Sequence, residues 1–171
     1  MMRTTGSVPP TVIADTAEGF VFCMPSGLPD EAAKDQFADV ARLLAVAHDA
    51  RAIVMVVEAW VRLAAPGCRL DTETPPLPVV AADRQEMVAL MLEDHSRCGT
   101  CLLPIVRDVL GAFVKFGENP VPDFTSAAGR FTGLMPKSKP VAEHASRAKA
   151  KAALQALGMC VVNRGFDPSV N

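Results

Sequence analysis

The sequence predicts an α+β fold: a mostly antiparallel sheet of about five strands, with one helix packed on one face of the sheet and a second, C-terminal helix. Short runs rich in β-forming residues recur between Gly and Pro turn signals, which predicts strands. One longer segment has apolar residues at helical spacing. It lies between two predicted strands, which indicates one β-α-β crossover and one parallel pair. The 171 residues suit a single domain over 1–171, with 1–17 and 159–171 as flexible or peripheral tails.

The first predicted strand is Gly19–Met24, which ends at a Pro-Ser-Gly turn. The helix that follows has Pro29 near its start and two acids, Asp30 and Glu31, in its first turn, where they suit the positive end of the helix dipole. Its apolar residues recur every three or four positions, which predicts an amphipathic helix. They are Ala33, Phe37, Val40, Leu44 and Ala47.

Ala52–Leu63 is predicted to be the next strand, and its character changes halfway. The first half is apolar at every position, as expected of a central strand covered on both sides. The second half alternates, so Glu58, Trp60 and Arg62 share one face. A carboxylate among aliphatic residues needs solvent or a partner, because burying it alone costs several kcal/mol, about 2–7 for an unpaired polar group and more for a charge.

The rest of the chain supplies three more strands and one helix. A Pro-rich segment over 64–85 is predicted to be a long loop, of the kind that is usually functional or mobile. Pro104 cannot donate to a ladder, so its strand is expected at an edge or a bulge. The predicted elements are the strands Glu86–Asp94, Leu102–Arg107 and Ala112–Gly117 and the helix Val141–Leu157.

The polar positions around the long loop are the first candidate site. If the strands before and after the loop pair antiparallel, Glu58 comes close to Arg84. One interpretation is a pocket floored by Trp60 that binds a small molecule or a peptide. The other is an ion pair that tethers the loop and caps the core. The candidate ligand-binding residues are Glu58, Trp60, Arg62, Arg84 and Glu86.

The segment from His95 to Cys101 is the second candidate, because C-x-x-C can bind a metal ion or form a redox disulfide. Its candidate redox or metal-binding residues are His95, Cys98 and Cys101, and Arg97 beside Cys98 would favour the thiolate. A strand running into Cys98 and Cys101 and then a helix would resemble the active-site segment of thioredoxin-like proteins. No Trp precedes Cys98, however, and Pro104 follows closely. The third interpretation is a hairpin turn in which Gly99 supplies an unusual backbone angle.

The predicted C-terminal helix carries Arg147, Lys149 and Lys151, which allows a role as a nucleic-acid accessory protein. A solvated helix face explains the same bases without a partner. Because the formal net charge is −2 and the bases lack interleaved aromatic residues, nucleic acid is not the expected partner.

Composition points to self-association. Half of the residues are hydrophobic and the mean hydropathy is +0.22, yet no apolar run is long enough to cross a membrane. One face of the sheet is therefore expected to need a cover that the Ala-rich second helix supplies poorly. No signal-like N-terminus and no catalytic or cofactor motif is recognised. The sequence thus predicts a cytoplasmic, non-catalytic binding protein without a cofactor that forms a dimer through its sheet.

Overall fold

The structure, a computed structural model, describes residues 6–62, 84–118, 131–136, 144–157 and 161–164. These residues form an α+β fold with an antiparallel sheet, as predicted. In chain order the elements are β1 (Thr11–Thr16), β2 (Gly19–Cys23), α1 (Glu31–Ala47), β3 (Ala52–Val61), β4 (Gln85–Asp94), β5 (Cys98–Arg107), β6 (Phe113–Phe116), α2 (His144–Ala156) and β7 (Val161–Arg164).

The described part of the sheet has seven strands rather than about five, in the order β6-β5-β4-β3-β1-β2-β7. Both additional strands come from segments that the sequence assigns to tails. Thr11–Thr16 is a central strand, hydrogen-bonded to β2 on one side and to β3 on the other. Val161–Arg164 pairs with β2 at one edge. The prediction that 1–17 and 159–171 are tails is therefore wrong for Thr11–Thr16 and Val161–Arg164, which belong to the sheet.

The β-α-β unit has a different topology from the one predicted. Its strands β2 and β3 both pair antiparallel with β1, so they run parallel to each other but are not neighbours. The expected parallel pair is absent from the described sheet, because β1 lies between its two members.

Helix α1 begins where the sequence predicts it, because Asp30 caps it. The Asp30 carboxylate accepts a hydrogen bond of 2.7 Å from the backbone N–H of Ala33, which satisfies one of the free donors of the first turn. The apolar stripe of the helix is buried on one face of the sheet, here called the first face. Side chains of the sheet that share this core include Val12, Ala14, Val21, Ile53 and Met55.

The second helix does not cover the opposite face of the sheet. Ala150 and Leu154 of α2 are buried in the core that also contains α1, and the helix packs against α1. The opposite face is here called the second face. By strand alternation and register it carries Ile13, Phe22, Val54, Val56, Glu58, Trp60, Leu90 and Leu92.

Strand β5 lies between β4 and β6, so Pro104 is not on an edge strand. The carbonyl of Pro104 accepts a hydrogen bond of 2.8 Å from Gly117, just beyond the end of β6. The ring nitrogen points to the same side as that carbonyl in an antiparallel ladder. The ladder to β4 therefore loses no donor, which explains why a proline is tolerated inside the sheet.

Candidate functional site

Strands β3 and β4 bring four of the five predicted ligand-binding residues together on the second face. They pair antiparallel, with Trp60 opposite Glu86 and Glu58 opposite Val88. Arg84 immediately precedes β4, and its guanidinium lies over the Trp60 ring at 4.4 Å from the ring centroid. Such a cation–π contact stabilises the pair modestly when it is exposed. Arg62 follows the end of β3 and has interactions of its own.

Arg107 is the cationic partner of the two glutamates, and it is not among the candidate residues predicted from the sequence. Nε and Nη2 of Arg107 donate to the two carboxylate oxygens of Glu86, each at 2.6 Å. Nη2 also lies 3.6 Å from Oε1 of Glu58. A two-pronged contact of this kind is among the strongest polar interactions in proteins. Glu58, Glu86 and Arg107 are here called the acid–arginine cluster.

The N-terminal segment before β1 lies against this cluster. The backbone N–H of Val8 donates to Oε2 of Glu58 at 2.9 Å. A Cβ atom built on Gly6 would lie 4.0 Å from Nη1 of Arg107. Val8 also packs against Val88 and Ile105, which form a small apolar group on the second face. The cluster thus fixes the segment that leads into the central strand.

The pKa values of the two glutamates are shifted in opposite directions. Burial raises the pKa of Glu58, and the neighbouring Glu86 raises it further, against the opposing effects of Val8 and Arg107. The hydrogen bonds from Arg107 lower the pKa of Glu86, and the same contact raises the pKa of Arg107. Glu58 is therefore the member that takes up a proton first as the pH falls.

This geometry favours the tethering role over a free ligand pocket. Arg107 is shared between two carboxylates, and Glu58 already accepts from the backbone of Val8. The tethered element is the N-terminal segment. The Pro-rich segment over 64–85, which is predicted to be a long loop, falls outside the described residues except at 84–85.

The second candidate, the C-x-x-C segment, forms a hairpin and part of a strand. Cys98 and Cys101 both belong to β5, where they lie opposite Glu93 and Leu90. Residues three apart on a strand point to opposite faces of the sheet. The two sulfurs are therefore not brought together, and neither cysteine is in a disulfide.

The turn of this hairpin is built by Asp94 rather than by Gly99. The Asp94 carboxylate accepts hydrogen bonds from the backbone N–H groups of Ser96 and Arg97 and from both of their side chains. The hydrogen bonds from Ser96, and then those from Arg97, lower the pKa of Asp94. Gly99 is paired with Leu92 inside the strand and has no positive φ. The guanidinium of Arg97 lies against Asp94, which competes with its predicted role beside a thiolate.

The third predicted metal ligand is bound elsewhere. Nδ1 of His95 lies 3.3 Å from the carbonyl oxygen of Pro136, in a segment whose residues Leu134 and Met135 are buried. Glu93 anchors this segment by accepting from the backbone N–H groups of Leu134 and Met135. Within the described ranges, no three His, Cys, Asp or Glu side chains are grouped as metal ligands would be.

We expect Cys98 and Cys101 to remain unbridged when the purified protein is treated with a thiol oxidant such as diamide. Their sulfurs point to opposite faces of β5, and a disulfide needs its Cβ atoms within about 4.5 Å. Peptide mass spectrometry after differential alkylation measures this. Half-buried Cys98 should be alkylated faster than Cys101, which is 7% exposed, and Cys23, which is fully buried. A bridge between Cys98 and Cys101 would contradict the strand assignment.

The three bases of α2 do not form a single surface. Arg147 pairs with Asp49 just beyond the end of α1, with Nη2 and Oδ2 at 2.6 Å. Lys151, one turn later, lies on the same side of the helix. Lys149 is about 200° around the helix from Arg147 at 100° per residue, and it is exposed. The spacing therefore gives no continuous basic stripe for a nucleic-acid backbone.

Comparison of this chain with protein-family models, with curated proteins and with solved structures finds no match. Neither of the two helices in the described ranges is long and apolar enough to span a membrane.

Proposed function

We propose that this chain is a non-catalytic interaction protein of the cytoplasm that forms a homodimer through the second face of its sheet. One observation carries the proposal. A row of four apolar side chains, Phe22, Ile13, Val54 and Leu92, crosses four neighbouring strands in register. None of the four belongs to either buried apolar group found among the described residues.

All four side chains are half-buried among their neighbours in the sheet, and the position of the helices explains why neither helix covers them. Both α1 and α2 contribute to the core of the first face. On the second face, the described cover consists of Val8 and Phe113, which pack near Val88 and Ile105 at the β4–β5 side. Apolar surface of this kind on a soluble protein marks an interaction site. Two sheets that meet face to face bury such rows about 10 Å apart.

A second copy of the chain suits this face better than a charged partner. The same row on each copy supplies the self-complementary patch that a two-fold dimer needs. The charges beside the row are already paired, because Arg51 Nη2 lies 2.6 Å from Asp15 Oδ1, two residues from Ile13. Farther along β4, Glu86 is paired with Arg107. The formal net charge of −2 adds little repulsion between copies. Cys23, Cys98 and Cys101 are not in disulfides, which is consistent with the reducing environment of the cytoplasm.

The test is the molar mass in solution. At micromolar concentration, light scattering or sedimentation should give twice the chain mass of 18.1 kDa. Ile13→Asp should give the single-chain mass while the circular dichroism spectrum stays that of the folded protein, because a carboxylate in the middle of the row cannot be buried unpaired.

Val114→Asp is the matched control, because Val114 is 55% exposed on β6, outside the row. This variant should remain dimeric. A single-chain mass for the unmodified protein would overturn the proposal. Dissociation by Val114→Asp with Ile13→Asp still dimeric would contradict it too, since the interface would then lie at the β6 edge.

A further inference from the structure

A cleft of about 210 Å³ lies between the β1–β2 turn, the C-terminal end of α1 and the first turns of α2. None of the residues named on the second face lines this cleft. Its walls come from three separate elements, so its shape depends on how the two helices and the hairpin pack. The cleft is smaller than the roughly 300–1,000 Å³ typical of sites for drug-sized ligands.

The charges of the cleft are separated by element. The two bases, Arg147 and Lys151, both come from α2. The two acids, Glu18 and Asp49, come from the β1–β2 turn and from the residue after the cap of α1. The C-terminal end of α1 adds partial negative charge on the side of the acids. The lining is thus neutral overall but has a positive side and a negative side.

The arrangement leaves one polar group unsatisfied. Nε of Arg147 is buried and has no hydrogen-bond partner in the part of the chain that the structure describes, although Nη2 is bound to Asp49. Asp49, with a φ of 50°, ends α1 in the usual left-handed conformation and so holds its carboxylate beside Arg147. A buried donor without a partner is uncommon in proteins and is explained here if a ligand in the cleft accepts from it.

His48 lies in the wall between the two charged sides. Burial lowers its pKa, the charge of Lys151 lowers it further, and Glu18 acts in the opposite direction. Asp49 and Arg147 are the other charged groups that line the cleft. At neutral pH the imidazole is therefore uncharged and offers one donor and one acceptor. Val21 and Ala47 supply the apolar part of the lining.

We propose that this cleft binds a small zwitterion of the α-amino-acid type. Its carboxylate would lie toward Arg147 and Lys151, its ammonium toward Glu18 and the end of α1, and its side chain toward Val21 and Ala47. A simple anion would be repelled by Glu18, and a simple cation would be repelled by Lys151. A molecule that carries both charges pairs with both sides at once. This site is independent of the proposed dimer, because none of the row Phe22, Ile13, Val54 and Leu92 lines it.

The experiment is a titration of the full chain with each of the twenty free L-amino acids, followed through the imidazole signals of His48 by NMR. The spectrum of His48→Gln assigns those signals. At least one amino acid should shift them to saturation, whereas acetate, methylammonium and inorganic phosphate at the same concentrations should not.

Lys151→Gln should weaken that binding at least tenfold. Lys149→Gln is the matched control on the same helix, because Lys149 does not line the cleft, and it should leave the affinity unchanged. The proposal is overturned if no amino acid gives a saturable shift. It is equally overturned if acetate or phosphate binds as tightly as the best amino acid, or if the two lysine variants weaken binding alike.

Discussion

Replacing Ala14 with aspartate should strongly lower the free energy of unfolding of this protein. Ala14 is fully buried in β1, paired with Val21 on one side and Ile53 on the other. An unpaired carboxylate at that position must be desolvated, and we expect a loss of roughly 4 kcal/mol or more in the free energy of unfolding. A domain of ordinary stability, about 5–15 kcal/mol, would lose between about a quarter and four fifths of its free energy of unfolding from such a change.

Urea denaturation followed by far-ultraviolet circular dichroism measures the effect. Val114→Asp is the matched comparison, because Val114 is 55% exposed on β6 and lies outside the proposed dimer interface. It should cost less than about 1.5 kcal/mol, within the range of common surface and half-buried substitutions. Equal losses for the two variants, or a fully stable Ala14→Asp, would show that this segment is a peripheral tail after all.

Glu86→Gln is expected to lower the free energy of unfolding by about 2 kcal/mol at pH 7, because it removes the charge from a two-pronged contact with Arg107. Arg107 lowers the pKa of Glu86 in the folded state. The ionised carboxylate therefore contributes stability above its ordinary pKa of 4.5, and this contribution is lost as the pH falls through the folded-state pKa. The difference between variant and parent should shrink correspondingly below pH 4.5.

Glu58→Gln is the matched control and should have the opposite sign. Burial raises the pKa of Glu58, so the protonated form is favoured in the folded state below 4.5 and that advantage is lost as the pH rises through the folded-state pKa. Glutamine keeps a carbonyl to accept from Val8 and gains an amide that can donate to Glu86. At pH 7 this variant should be about 0.5 kcal/mol more stable than the parent, the low end for one neutral hydrogen bond. Unfolding curves for both variants between pH 4 and 8 test the pair; equal losses would contradict the division of roles.

Local signals account for what the sequence predicts well. Helix α1 is identified by its acidic start and by the spacing of Phe37, Val40 and Leu44, all of which are buried. The alternation that places Glu58 and Trp60 on one face of β3 is also local, and the structure has it. In each case the physical cause, a cap or a periodicity, lies within the segment itself.

The features that the sequence does not predict depend on contacts between distant segments. Arg107 reaches Glu86 only because the β4–β5 turn falls at residues 95–97, which makes β5 start at Cys98 rather than at Leu102. Arg107 lies at the end of an apolar strand, on the same face as Leu103 and Ile105. A charged residue in this position indicates that a carboxylate lies across the ladder from it.

Strand β1 is not predicted from the sequence for a related reason. Its inward positions are Val12, Ala14 and Thr16, two of which are small or polar and resemble loop residues in isolation. Their burial is imposed by β2 and β3 on either side. The period of two and the two-residue connection to Gly19 are the signs of a hairpin that could have identified it.

The place of β1 in the sheet also sets the order in which the protein can be completed during synthesis. Strands β3 to β6 are sequential neighbours, so they can pair as each leaves the ribosome. β1 and β2 leave first, but β1 can join the others only after α1 and β3 have been made. Until then the nascent hairpin has a free edge along β1, which is where a chaperone would have to bind to prevent pairing with another nascent chain.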